Sequence, residues 1–187
     1  MDGETAIRKA YESILKHDFE QAVAWFEQAI TLDPGKAAYH YKLSITYARS
    51  NKLEKAIEHA QQAVDLDGRD EHYAFHLQHL QAKRLLFTAE KLFDEPEERL
   101  WLAVELLKEA VELDPLSVEG FLLLGMAYHR LGEYAQALRS IKELLKLDPQ
   151  HTIGRRLSAD YEQKWKQYMK NATLRGMLAE RNENSHE

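Results

Sequence analysis

The chain has 187 residues, 44% of them hydrophobic and 30% charged, a composition that folds into one domain or two small ones. It contains no cysteine, which excludes disulfides, thiolate zinc sites and cysteine nucleophiles. Its net charge of −6 argues against general nucleic-acid binding, where a basic surface supplies most of the affinity. No apolar run approaches the roughly 20 residues of a membrane span. Met1-Asp2-Gly3-Glu4 has neither the basic flank nor the apolar stretch of a secretory signal.

Along the chain, helical periodicity recurs and each stretch ends on the same phrase. Residues 21–30, 56–64, 102–113 and 137–147 carry apolar side chains at spacings of three and four, as one buried helix face requires. They end at Leu32-Asp33-Pro34, Leu66-Asp67-Gly68, Leu113-Asp114-Pro115 and Leu147-Asp148-Pro149, where proline or glycine stops the helix. Pro34 and Gly68 are 34 residues apart, and so are Pro115 and Pro149. The middle interval is 47, so one period of 34 carries a 13-residue insertion in its third unit. Alanines repeat at spacing seven (Ala22 and Ala29, Ala56 and Ala63, Ala103 and Ala110), which lets a neighbouring helix approach closely. A second helix precedes each of these, most clearly over 121–128 and 39–49. Each unit therefore reads as an antiparallel helix pair, and no segment has a convincing period of two.

These residues resemble the tetratricopeptide repeat family. Unit four, residues 118–151, supplies Phe121, Leu124, Gly125, Tyr128, Ala137, Ile141, Leu144 and Pro149 at that family's preferred positions. Unit two, 37–70, supplies His40, Leu43, Ser44, Tyr47, Ala56, Ala60, Ala63 and Gly68. Unit one, about 3–36, matches in its second helix through Ala22, Phe26, Ala29 and Pro34, but Lys9 stands where leucine is usual. Unit three, 71–117, has Ala74, Leu77, Ala103, Leu107, Ala110 and Pro115, and departs at Gln78. The resemblance implies an all-α, right-handed superhelical solenoid of antiparallel helix pairs, a single domain over residues 1–181.

Two segments depart from the repeat. In unit three the apolar pattern runs on from Tyr73 to Phe93, which predicts a first helix about two turns longer than usual. Pro96 then starts a new helix, with Glu97 and Glu98 favourable in its first turn. Trp101 and Leu102 occupy usually polar positions, and the simplest expectation is that the extra turns fold over them. The alternative makes Phe93 and Trp101 an interface, for a partner or a second copy. After unit four, Ile153, Leu157, Tyr161, Trp165 and Met169 form one stripe, with Arg155, Arg156, Lys164, Lys166 and Lys170 opposite. This predicts a capping helix over 152–181, followed by a frayed tail over 182–187.

No catalytic constellation emerges: there is no glycine-rich phosphate loop, no nucleophile elbow and no Cys/His pair. No cofactor or metal is expected. His72, His76 and His79 share one helix face and read as solvated groove lining. Metal binding and pH-sensitive recognition are the alternatives at that spacing, and no carboxylate stands at a fourth ligand position.

In the family the first helix of each pair lines a concave groove. Carried over by position, unit two contributes Tyr41, Lys42, Ile45 and Arg49, and unit three His72, Phe75, His76, His79 and Lys83. Unit four contributes Glu119, Leu122, Leu123, Met126, His129 and Arg130, and unit one Glu4, Ile7, Arg8 and Tyr11. Cations outnumber acids in this set although the protein is acidic. A groove of this kind suits a peptide with apolar and acidic residues. The Lys and Asn pattern with which co-chaperone members hold a C-terminal carboxylate is not met. The expected function is therefore a non-catalytic cytoplasmic adaptor or assembly factor that binds a protein or peptide, with neither nucleic acid nor membrane as partner. The alternative is a self-associating scaffold, with a homodimer possible, built on the unit-three extension or the capping helix.

Overall fold

The computed structural model describes residues 2–183, with side chains described through residue 175. Within the described residues nine α-helices follow one another: α1 (Gly3–Leu15), α2 (Phe19–Leu32), α3 (Ala37–Arg49), α4 (Leu53–Leu66), α5 (Glu71–Lys91), α6 (Glu97–Leu113), α7 (Val118–Arg130), α8 (Tyr134–Leu147) and α9 (Thr152–Glu183). A short 3-10 turn, Leu92–Asp94, lies between α5 and α6. Of the tail expected to fray, residues 182 and 183 belong to α9, and 184–187 lie outside the described residues.

The recurring Leu-Asp-Pro/Gly phrase ends four helices in the same way, and its aspartate does much of the work. In each copy the Asp N–H closes the last helical turn: Asp33 on Ala29, Asp67 on Ala63, Asp114 on Ala110 and Asp148 on Leu144. Its own carbonyl then accepts from the N–H three residues on, at Lys36, Asp70, Ser117 and His151. In three copies the carboxylate also accepts from the N–H two residues on, at Arg69, Leu116 and Gln150. Aspartate thus accepts from N–H groups of the turn that leads into the next helix, and the proline or glycine that follows disfavours continuing the first. Helix starts are capped by Asp2, Asp18 and Ser117, which accept from Thr5, Gln21 and Gly120.

The turn inside each regular pair has a second shared requirement. His17 (φ 59°), Asn51 (φ 57°) and Gly132 (φ 75°) occupy the same place in units one, two and four, and all three are left-handed. Only glycine takes that conformation without strain, and asparagine tolerates it. His17 therefore holds the least favourable residue of the three. His17→Gly is expected to raise the unfolding free energy by about 1 kcal/mol, read as a higher urea midpoint with an unchanged slope.

The structure also resolves the 13-residue insertion. α5 has 21 residues against 13 in α1, α3 and α7, α6 has 17 against 14 in α2, α4 and α8, and the connection between α5 and α6 takes the remaining two. The expected two extra turns are present.

Packing divides the chain into two compact units, Met1–Arg84 and Leu85–Glu187, the boundary falling within α5. In the first unit Ala6, Ala10, Phe26, Ala29, Leu43, Tyr47, Ala56 and Ala60 form the core, joined by Leu77 and Leu80 of α5. Ala22, Ala29, Ala56 and Ala63 have no accessible surface, so the spacing-seven alanines do mark close helix approach. Lys9, in place of the usual leucine, lays its amine 4.3 Å from the Trp25 ring centroid.

In the second unit α6 packs on α7, α7 on α8 and α8 on α9. Ala137, Leu138, Ile141 and Tyr161 are buried there, with Leu122, Tyr128, Leu145 and Leu157 around them. A Cβ on Gly125 would meet Ile141 Cδ1 at 2.7 Å, which measures how closely α7 and α8 approach. α9 packs on α8 as a capping helix, but its predicted stripe is buried only in the middle. Tyr161 is 3% exposed, whereas Ile153 and Met169 at its ends are about half exposed.

The expectation for Trp101 and Leu102 is corrected. They are 47% and 53% exposed, so the added turns do not cover them. What those turns do engage is Arg130. Its guanidinium donates to the Phe93 carbonyl and lies 5.8 Å from the Phe93 ring centroid, fixing the end of the insertion to α7.

Candidate functional site

The candidate residues of the first unit lie on α1, α3 and α5. Tyr41, Glu71, His72, Ala74, Phe75, His76, Gln78 and His79 line a cleft of about 730 Å³. Phe75 is 58% exposed in it. Tyr41 packs against Tyr73 with ring centroids 5.0 Å apart and stands edge-on to His76 at 5.1 Å. Five residues proposed from the sequence therefore meet in one cleft. Glu71, Ala74 and Gln78 were not in that set. Gln78 stands where the repeat usually carries a small side chain, and that departure was the available signal.

A second cleft, about 630 Å³, is lined by Asp2, Glu4, Thr5, Ile7, Arg8, Tyr11 and Lys42. The Lys42 amine lies 5.2 Å from the Tyr11 ring centroid. Ile7 lines this cleft but is only 4% exposed, and most of it belongs to the core. Asp2, Glu4 and Glu71 bring acids into these clefts, so their surface is more mixed than the inward positions alone suggest. Ile45 is half-buried between its neighbours on α3, while Arg49 and Lys83 are exposed on α3 and α5.

His76 and His72 of α5 take different hydrogen-bond partners. His76 Nε2 lies 2.9 Å from Ser44 Oγ, and that hydroxyl donates its only proton to the Ala56 carbonyl at 2.6 Å. His76 must therefore be the donor and carry its proton on Nε2. His72 Nδ1 instead contacts Asp70 at 2.9 Å. Hydrogen bonds from the His72 backbone N–H and ring hold the Asp70 carboxyl below its usual range. Among the described residues no group of three or more His, Asp or Glu side chains is placed to hold a metal ion.

Burial pushes the His76 imidazole below its ordinary value of 6.5, and the charge of His79 adds to this. Buried His40 and half-buried His59 form a pair with Nδ1 atoms 3.1 Å apart, so only one of the two can carry its proton there. Burial lowers both. For His40 the charge of His59 adds to it; for His59, Lys55 adds to it while Glu58 and Glu27 oppose it. His59 also stacks on Tyr47, whose hydroxyl donates to Glu27 at 2.8 Å.

These shifts fix the sign of the pH dependence. Imidazoles held below 6.5 in the fold take up protons more readily in the unfolded chain. Their contribution is complete above 6.5 and is lost as pH falls from there toward the folded values. The urea midpoint is expected to drop between about pH 7.5 and about pH 5.5. The drop should shrink in His59→Phe, which keeps a ring against Tyr47. An equal drop in that variant would remove the pair as the cause.

In the second unit most candidates serve packing. Leu122 joins the cluster around Ile141 and Tyr161. His129 stacks on Tyr161 of α9 with centroids 4.3 Å apart and planes 11° apart. Its Nε2 is 3.9 Å from Asp160 Oδ2 and has no hydrogen-bond partner. Burial and Lys164 lower this imidazole, against the raising effect of Asp160. Arg130 is engaged by Phe93, while Met126, at 37% exposure, and Glu119 are exposed there.

Among the described residues no helix is long and apolar enough to cross a membrane. No curated protein sequence matches the chain. Tetratricopeptide repeat profiles match residues 13–83 and 118–151. Similar solved structures include a MamA crystal structure, with TM-score 0.51 and 18% identity over 88% of each chain. MamA from AMB-1 gives 0.52 and 20%, covering 90% of this chain and 85% of the other. YrrB, described as a TPR protein with an unusual peptide-binding site, gives 0.49 and 21%, covering 86% and 76%. The likeness to MamA is one of fold. With four helix pairs punctuated by one terminating phrase, and with repeat profiles matching on both sides of the insertion, the chain belongs to the tetratricopeptide repeat family, an all-α scaffold for protein–protein interaction.

Proposed function

We propose that the chain is a non-catalytic cytoplasmic adaptor that binds a peptide segment of a partner protein on the α3–α5 surface of its first unit. The observation that carries this reading is Phe75: a large aromatic side chain, more than half exposed, standing in a cleft of about 730 Å³ beside Tyr41. Exposed aromatics that a partner can desolvate are the usual anchors of binding energy. Lys42, Arg49 and Lys83 lie on the same two helices, so the favoured peptide pairs an apolar anchor with flanking acids.

The mechanism is pre-organisation. Helix packing fixes Tyr41 against Tyr73 and His76, and His76 is held through Ser44 to the α4 backbone. The peptide then orders itself against a surface that has little left to order. Peptides selected from a displayed library should combine Leu or Phe with Asp or Glu, and should lose affinity in Phe75→Ala and in Lys42→Glu/Arg49→Glu. Selected peptides that bind both variants as tightly as the parent would place the site elsewhere.

A further inference from the structure

α9 is longer than the support beneath it. Its 32 residues span about 48 Å, whereas the 14 of α8 span about 21 Å. Every described residue from Lys166 to Arg175 is exposed. The apolar stripe nevertheless continues past the buried Tyr161 through Trp165, Tyr168, Met169 and Ala172, with Tyr168 and Met169 about half exposed. Lys164 and Arg175 flank this stripe on one side, while Lys166, whose amine meets Glu162 at 3.1 Å, and Lys170 lie toward the far side; residues 163–175 contain no acid.

The opposite chemistry is exposed at the start of α6. Glu97, Glu98, Trp101 and Leu131 line a cleft of about 430 Å³, with Trp101 half exposed and Leu102 beside it. Asp94 and Glu95 precede it, also exposed. One surface is thus apolar with a basic rim and the other apolar with an acidic rim, each on the second unit.

We propose that the basic apolar face of α9 beyond Tyr161 docks into the acid-rimmed Trp101 cleft of a second copy, joining copies head to tail. Charge selects this pairing over the alternatives. α9 against α9 would set Lys164, Lys170 and Arg175 against their own copies, with Glu162 already paired to Lys166, and cleft against cleft would set acids against acids. An anionic bilayer would attract α9 but repel the remainder, since residues 1–151 carry 18 basic and 26 acidic side chains. Because the two surfaces differ, each copy keeps one free end after the first contact, and the assembly grows as a chain.

Sedimentation of the full chain at low salt should show a mass that rises with concentration and falls back as salt is added. Trp101→Asp and Lys164→Glu/Arg175→Glu alter exposed side chains, and each alone should weaken association at least about tenfold. Mixing the two variants is the decisive step, because one retains an intact cleft and the other an intact helix. The mixture should form a one-to-one dimer that grows no further. A parent chain that stays monomeric at every concentration overturns the proposal, as does a mixture that forms no dimer. Binding of phosphatidylserine vesicles through the α9 lysines by a chain that remains monomeric would overturn it in favour of a membrane surface.

Discussion

Phe26→Ala is expected to lower the unfolding free energy by about 3–5 kcal/mol. Phe26 is 1% exposed and belongs to the core that joins α1, α2, α3 and α4, with the Tyr11 ring edge-on at 6.0 Å. Truncation removes its transfer free energy and leaves a cavity whose cost depends on how far the walls relax. Here they relax little. Ala22 and Ala29 on its own helix, and Ala6 and Ala10 on α1, have no accessible surface and no rotamers with which to fill the space. The expected loss therefore lies toward the upper end of the range, against a total of about 5–15 kcal/mol for a typical domain. Phe26→Leu, which keeps most of the volume, should lose about 1.5 kcal/mol or less. Urea unfolding of both variants checks this, and equal losses in the two would mean that packing at Phe26 is not limiting. Repeats are stabilised by nearest neighbours, so the damage should be centred in the first unit. Trp25, also on α2, offers a local fluorescence probe of it.

The repeat was legible because its cause is local. A helix that must stop every 34 residues needs a terminator, and the terminator is written into the sequence as Leu-Asp-Pro or Leu-Asp-Gly. The extra turns of α5 were legible for the same reason, since an apolar period that runs on specifies a helix that runs on. What the aspartate does was less visible: its carbonyl and carboxylate gather N–H groups that only the folded turn brings near it.

The site was legible in part. Family positions named Tyr41, His72, Phe75, His76 and His79, and these five line one cleft. Position could not tell which of them are already used. His76 is committed to Ser44, and His129 to Tyr161 on a helix that follows the repeats, an ending that differs from one repeat protein to the next. Arg130 looked like a groove cation, but the insertion placed the Phe93 carbonyl within its reach. Trp101 failed in the other direction. An apolar residue at a polar position invites the expectation of a cover, and periodicity carries no information on whether the added turns provide it.

The charge reversal Lys42→Glu/Arg49→Glu should weaken binding of a selected acidic-apolar peptide by about 2 kcal/mol, roughly thirtyfold, at low salt. Each exposed ion pair contributes at most about 1 kcal/mol, but reversal also sets a like charge against the peptide's acid. Residues 42 and 49 are two helical turns apart on α3, so one extended peptide can meet both. Most of the loss should appear in the association rate and should fade near 1 M salt, where the Debye length is about 3 Å. Phe75→Ala should behave differently. Its loss, about 2 kcal/mol for a desolvated aromatic anchor, should appear in the dissociation rate and persist at high salt. Circular dichroism of both variants should match the parent, because Arg49 and Phe75 are exposed and the Lys42 amine lies over the Tyr11 ring in a surface cleft. The two salt profiles separate the charged from the apolar part of the site. A peptide that loses affinity in Phe75→Ala but is indifferent to the charge reversal at every salt concentration would leave an apolar cleft without the basic rim assigned to it.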